Sequence, residues 1–467
     1  MQNTWLIIIA CIYVALLILA TWRAKLATHS SDDYMLAGSK LGALVGCLTF
    51  SATLFSTFTL MGMPDFFRTH GIGAWVFLGV ADAAVAFVIL WYAIPLRRAA
   101  ARHGFQGLAG MLAQCYQSRA AAYLYFIGLF LFLIPYVAVQ IRGIGILLNA
   151  AYPDTLPNWA WSLAIVLSLL VYSEIGGLKA IIYSDAMQGL LLLVVTWIIA
   201  YGCVSNFDGI ANMMLQLRDT NPALLSVPGP KGLFSFQFLL ASLLAILALP
   251  ITQPQLATRL VIMKSGGESK KMAVAVGIFS MLVILPTAGI GLFGALSYPE
   301  LSTADFLARV LIQDQAPYIA ALVAVGLSAA AMSTADSQLF ALGAELRSLS
   351  RSSPARAMRQ ARVAIGVFAL AAFAFSVASS DQLVLLARTS FAGTALLAPL
   401  VLSAVLSNSP KTFVLLPATA IALAVFVVSI FGLLPATIAN LRLDLFLFIA
   451  LSLIAIFSNL GAFKSSR

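Results

Sequence analysis

The sequence predicts an all-α protein that crosses a membrane many times, on three observations. Its 467 residues are 61% hydrophobic and only 9% charged, against about 25% charged in a soluble domain. Runs of roughly 20 apolar residues, enough to cross about 30 Å of hydrocarbon as helix, recur along the chain. Lysine and arginine gather in the short stretches between those runs, the pattern that orients a multi-pass protein. The net charge of +10 therefore points to membrane topology and not to nucleic acid. A membrane β-barrel would show alternating ten-residue segments, and none is present.

Thirteen spans follow, at about 4–23, 43–66, 72–96, 120–149, 158–175, 183–205, 234–258, 272–297, 317–343, 362–379, 382–406, 412–433 and 443–462. The first is followed by Arg23 and Lys25, not by a small-residue cleavage site, so it reads as a retained helix and not a signal peptide. Residues 105–118 predict a helix along the inner face and residues 302–316 one along the outer face. No strand is expected. The chain reads as one transmembrane domain over 1–467. Two halves at 43–205 and 234–406 are flanked by peripheral helices at 4–23 and 412–462.

With the N-terminus outside, the inside loops carry twenty basic residues, from Arg23, Lys25 and Lys40 through Lys179, Arg259 and Lys264 to Lys464 and Arg467. The outside carries five: Arg68, Arg218, Lys231, Arg309 and Arg442. That asymmetry and an odd span count place the C-terminus in the cytoplasm of a cell whose inner membrane holds the protein. Arg142 and Arg388 are then the basic residues inside spans, both expected to snorkel to the interface.

Spans 2 and 7 are unusual. Span 2 carries Thr49, Ser51, Thr53, Ser56, Thr57 and Thr59, then Gly62 and Pro64. Span 7 carries Pro250 and Pro254 around Thr252 and Gln253. Proline breaks the helical ladder, and broken helix is tolerated in lipid only where it lines a cavity. Two interruptions five spans apart predict inverted five-helix repeats, spans 2–6 and 7–11, with a solute and ion site at the midplane.

Span 9 holds the most polar stretch, with Ser333, Thr334, Asp336, Ser337 and Gln338. Hydroxyls at 333 and 334, with carbonyls freed from a broken neighbour, would suit a hard cation such as sodium. Such hydroxyls also glue helices together. A carboxylate inside a span costs about 2.5 kcal/mol or more and is a functional hypothesis by default. Asp185, opening span 6, is an ion ligand or a helix cap. Asp82, near the centre of span 3, is a solute contact or a carboxylate sealed in the packing. The three histidines lie in loops, and the four cysteines, Cys11, Cys47, Cys115 and Cys203, have neither disulfide nor metal spacing. No catalytic constellation is apparent, so an enzyme is not expected.

Four stretches, taken together, resemble the sodium:solute symporter family, whose members include sodium/proline, sodium/galactose and sodium/sialic acid symporters. They are Ser31-Asp-Asp-Tyr-Met-Leu-Ala-Gly38, Ser51-Ala-Thr-Leu-Phe-Ser-Thr-Phe-Thr-Leu-Met-Gly-Met-Pro64, Gly176-Gly-Leu-Lys-Ala with Ser184-Asp-Ala-Met-Gln188, and Ala330-Ala-Met-Ser-Thr-Ala-Asp-Ser-Gln338. Gln253-Pro-Gln-Leu-Ala-Thr-Arg259 is similar to the proline symporters. The resemblance implies a thirteen-helix, LeuT-like inverted-repeat fold. It implies a sodium ion held by the carbonyls of Ala52, Phe55 and Ala330 and the hydroxyls of Ser333 and Thr334. Asp185, Ser333 and Ser337 match a second sodium site of some members, to which Asp336 adds a carboxylate. Ser56, Thr57, Thr59, Asp82, Tyr136, Gln140, Thr252 and Gln253 fall at solute-contacting depths. For Asp82, the aligned contact lies nearer Val80, about 200° away on a helix. Tyr136 stands where the sialic acid symporters carry an arginine, which argues against a close copy of those.

The expectation is thus a sodium-driven importer of a small carboxylate or amino acid, working by alternating access, in the bilayer and as a monomer, with no nucleic-acid partner. A transporter-fold sensor signalling through a partner, or a proton-coupled transporter, are the other classes. The chain's end at Arg467, close after span 13, speaks against a fused output domain. A tag before Met1 is expected to be reached only from outside the cell and one after Arg467 only from inside. Labelling both from one side would break the count of thirteen.

Overall fold

Inside hydrocarbon, helices satisfy their backbone groups within their own segment, and the chain is built almost wholly from them. The computed structural model describes residues 2–26, 36–151, 156–350, 352–408 and 410–463. The helices are α1 (Gln2–Leu26), α2 (Ala43–Leu54), α3 (Met63–His70), α4 (Ala81–His103), α5 (Leu108–Cys115), α6 (Arg119–Ala151) and α7 (Asn158–Ser205). Then come α8 (Ile210–Thr220), α9 (Phe236–Leu247), α10 (Leu249–Thr252), α11 (Pro254–Val261), α12 (Gly266–Ser297) and α13 (Thr303–Ala308). The last are α14 (Pro317–Leu349), α15 (Pro354–Ala378), α16 (Leu383–Ala395), α17 (Ala398–Leu406), α18 (Leu415–Ile430) and α19 (Leu443–Phe463). Part of the stretch Ser31–Gly38, residues 31–35, lies outside the described residues, as do Lys464 and Arg467.

Among the described residues, seven unbroken helices and three bent pairs are long and apolar enough to cross a membrane. Helices Leu415–Ile430 and Leu443–Asn459 are apolar but shorter. Predicted spans 5 and 6 run together as α7, interrupted at Gly177, whose φ of 61° and ψ of −166° suit only glycine. Spans 2 and 7 are broken as expected, by 59° between α2 and the segment Phe58–His70 and by 55° at α11. Equal bends at corresponding places fit the inverted repeat. Span 11 also bends, by 40° between α16 and α17, where Pro399 removes a backbone donor. The expected surface helices appear in shortened form as α5 and α13. An unexpected antiparallel pair, β1 (Thr437–Ile438) and β2 (Leu441–Arg442), joins α18 to α19.

The Ala43 end of α2 and the Val261 end of α11 are clasped. The Leu41 N–H donates to Ile262 O at 3.1 Å, and the Lys264 N–H to Leu41 O at 2.9 Å. Glu268 Oε2 accepts from the Ala43 N–H at 2.8 Å. Around the broken helices pack α4, α6, α7, α12 and α14, with α1 against α7 and α14.

Two arginines correct the sequence reading. Arg388 does not snorkel. It is buried, donates to Asp444 Oδ2 at 2.5 Å and to Ser242 Oγ at 2.9 Å, and lies over the Phe238 ring at 4.6 Å. Arg259 is no loop residue, being only 1% exposed. Arg142 meets the expectation better, pairing with the half-exposed Asp381 at 2.7 Å. Removing one partner of a buried pair strands the other charge, at about 3–5 kcal/mol. Arg388→Met should therefore lower the melting temperature of the purified protein sharply. Adding Asp444→Leu should restore most of it, since Arg442, the other partner of Asp444, is partly exposed.

Candidate functional site

The break after α2 is built from its own polar residues. In a continuous helix the Ser56 N–H would donate to Ala52 O. Instead it donates to Thr59 Oγ1 at 3.2 Å. The Thr57 N–H likewise leaves the ladder for Gln140 Oε1 at 3.2 Å, and Leu54 O accepts from the Tyr136 hydroxyl at 3.3 Å. Phe55, with φ −93° and ψ 126°, is the extended residue at the break. Ala52 O, freed from Ser56, faces α14, accepts from Thr334 Oγ1 at 3.2 Å and lies 3.4 Å from Ser333 Oγ. Ala330, one turn before Thr334, is buried on the same helix.

The second break is at Gln253, also extended (φ −91°, ψ 117°). Tyr125 donates its hydroxyl to Thr252 O at 2.8 Å, and Gln255 Nε2 donates to Gln253 Oε1 at 2.7 Å. Thr252 Oγ1 bonds back to Ala248 O at 3.0 Å.

Between the two breaks lies a buried polar hub that joins α2, α7, α11 and α14. Arg259 donates from Nη2 to Asp185 Oδ2 at 2.5 Å and to Ser337 Oγ at 2.8 Å. Its Nε reaches Thr49 Oγ1 at 2.8 Å, and its Nη1 reaches Gln255 O at 2.7 Å. Thr49 donates in turn to Asp185 Oδ2 at 2.8 Å, and Ser333 donates to Asp185 Oδ1 at 2.5 Å. Asp185 is fully buried, so this pairing offsets its desolvation. Asp185 is thus neither a free carboxylate nor a plain helix cap.

The structure brings Ala52, Ser333, Thr334, Ser337 and Asp185 together. Asp336 is buried on the same helix but takes no bond from the hub, and its Oδ1 has no partner among the described residues. Ser56, Thr57, Thr59, Tyr136 and Gln140 gather at the first break, the tyrosine and glutamine gripping backbone. Asp82 points inward at 2% exposure, whereas Val80 is 43% exposed. The inward position is therefore the carboxylate and not its aligned neighbour. Among the described residues, Asp82 Oδ2 has no partner, nor do Thr57 Oγ1 and Gln253 Nε2. Arg259 is the residue that the sequence reading misplaced. Its signal was present: it follows the Pro254 break by five residues, on a short helix too close to the membrane interior to be loop.

The family model for sodium:solute symporters matches residues 34–408. The chain belongs to the sodium:solute symporter family. Within that family it is similar to the sodium/pantothenate symporter of Escherichia coli, 26% identical over 66% of this chain and 64% of that protein. The match to the sodium/proline symporter of Salmonella typhimurium is 26% identical over 41% and 38%. The chain thus spans somewhat less than two thirds of the pantothenate symporter's length. In fold it superposes on a Na+-coupled sialic acid symporter captured substrate-bound and outward-open, with a TM-score of 0.79 over 99% of this chain and 97% of that one, at 17% identity. The LeuT-like architecture of the family is thereby shown.

The break depends on Thr59 as a stand-in acceptor. Thr59→Val leaves the Ser56 N–H buried without one, a cost of about 1–3 kcal/mol. The melting temperature should fall accordingly. Thr389→Val, which removes only a bond within one helix turn to Leu385 O, should change it little.

Proposed function

We propose that this symporter-family chain imports a small organic solute, a carboxylate or an amino acid, with sodium as the coupling ion. The observation that carries the reading is the Ala52 carbonyl, released from its helix and met by the Ser333 and Thr334 hydroxyls. Hard cations take oxygen ligands, and this donor set fits one. The carbonyls of Phe55 and Ala330 would complete it. Sodium there would bridge the broken α2 to α14 and hold the two apart from their sodium-free arrangement. One cation entering yields about 2.3 kcal/mol per 100 mV. A tenfold solute gradient needs about 1.4 kcal/mol, so one ion suffices.

The solute would sit beside the first break, against Ser56, Thr57, Thr59, Asp82, Tyr136, Gln140, Thr252 and Gln253. Pantothenate, proline and sialic acid, named for the relatives, all carry a carboxylate. The buried arginines described above are paired with aspartates, so a solute carboxylate here would be met by neutral donors such as the Thr57 hydroxyl and the Gln253 amide. Asp82 would receive a cationic or donor group. One chain carries the whole set, so a monomer in the inner membrane suffices, with its N-terminus outside and its C-terminus in the cytoplasm.

Ser333→Ala and Thr334→Ala are each expected to raise the sodium concentration for half-maximal uptake tenfold or more, about 1.4 kcal/mol. Ser328→Ala, whose hydroxyl bonds only to Ala324 O in its own helix, should leave it nearly unchanged. Wild-type sodium dependence in both cage variants would sink the sodium reading.

A further inference from the structure

We infer that Arg259 is a tethered second cation: its guanidinium fills the seat between Asp185 and Ser337 that a second sodium ion would need. The chain therefore binds a single sodium, at the α2–α14 cage. The inference rests on the sodium reading above and sets its stoichiometry.

A second ion at the positions of Asp185, Ser333 and Ser337 would require oxygen lone pairs turned toward it. Asp185 Oδ2, the carboxylate oxygen against the guanidinium, has both of its lone pairs committed to donors. Asp185 Oδ2 accepts from Arg259 Nη2 and from Thr49, and Asp185 Oδ1 accepts from Ser333. Ser337 Oγ accepts from the same Nη2 atom, at 2.8 Å. One guanidinium nitrogen thus touches both of the outer ligands that the ion would bridge. Guanidinium does not deprotonate in a protein, so its charge is as permanent as that of sodium.

The seat is also filled from the side. Gln255 O and Thr49 Oγ1 fix the other two nitrogens at 2.7 and 2.8 Å, leaving the group no freedom to yield its place without breaking four bonds. Charge gives the same answer for Asp185: the paired Arg259 neutralises it, so this carboxylate has no charge left over for a further cation. A cavity of about 20 Å³, bordered by Gln255, Arg259, Ser337 and Glu345, abuts the group, with room for little more than a water. Since Arg259 belongs to α11, this cation stays with the protein throughout the cycle while sodium passes through.

The test counts radioactive sodium bound at saturation by the purified protein in lipid nanodiscs. The wild type is expected to bind about one ion per chain, and Arg259→Lys, which keeps the charge, also about one. Arg259→Gln exposes Asp185 to a mobile cation and is expected to bind about two. The double variant Asp185→Asn with Arg259→Gln has no stranded charge, remains testable even where the single variant unfolds, and should return to about one. Thr334→Ala should need tenfold more sodium to fill the remaining site. About two ions in the wild type or in the double variant, or one in a folded Arg259→Gln, would overturn the inference while leaving sodium coupling intact. No saturable binding in the wild type would overturn both.

Discussion

A helix that breaks inside hydrocarbon exposes backbone donors and acceptors that no water can satisfy, at several kcal/mol for each group left alone. Much of the centre of this molecule answers that one constraint. Thr59 replaces a carbonyl, Gln140 replaces another, and Tyr136 supplies a donor. Among the carbonyls that the break frees, that of Ala52 turns toward two hydroxyls on α14. The break thus points a backbone oxygen at a neighbouring helix instead of closing it into its own ladder.

The same economy shapes the electrostatics. Asp185 and Arg259 are buried on different helices, and each would be costly alone. Together, and wrapped by Thr49, Ser333 and Ser337, they become a neutral joint between α2, α7, α11 and α14. Ser333 takes part in both structures, donating to Asp185 and lying against Ala52 O. The proposed sodium cage and the joint therefore share a residue. A change in one is felt by the other through a single side chain, without any longer chain of contacts.

The fold was largely legible in the sequence because a bilayer imposes length and polarity on each span, and prolines at 64, 250 and 254 mark the broken ones. The hydroxyls of span 9 were legible as a set for the same reason: polar atoms in lipid need a use. Partnership across the fold was not. Arg259 looks like a boundary charge when counted along the chain, since nothing nearby in sequence neutralises it. Its partner is 74 residues away. Arg388 and Asp444 repeat the lesson, and so does Asp82, whose inward direction depends on the local winding at Trp75–Val80. Tyr136 and Gln140 were read as solute contacts, but their grip on backbone follows from a break whose unsatisfied groups only the three-dimensional path reveals.

The clasp between Leu41 and the Ile262–Lys264 segment joins the start of the first broken helix to the end of the second. It works as a yoke: two backbone bonds tie the start of α2 to the end of α11, and the Glu268 carboxylate ties the same start to α12. The fastening is more than hydrogen bonds: the buried Ile262 shares an apolar cluster with Leu41, Leu178, Ile181 and Phe340. The start of the first broken helix and the end of the second should therefore move as one piece.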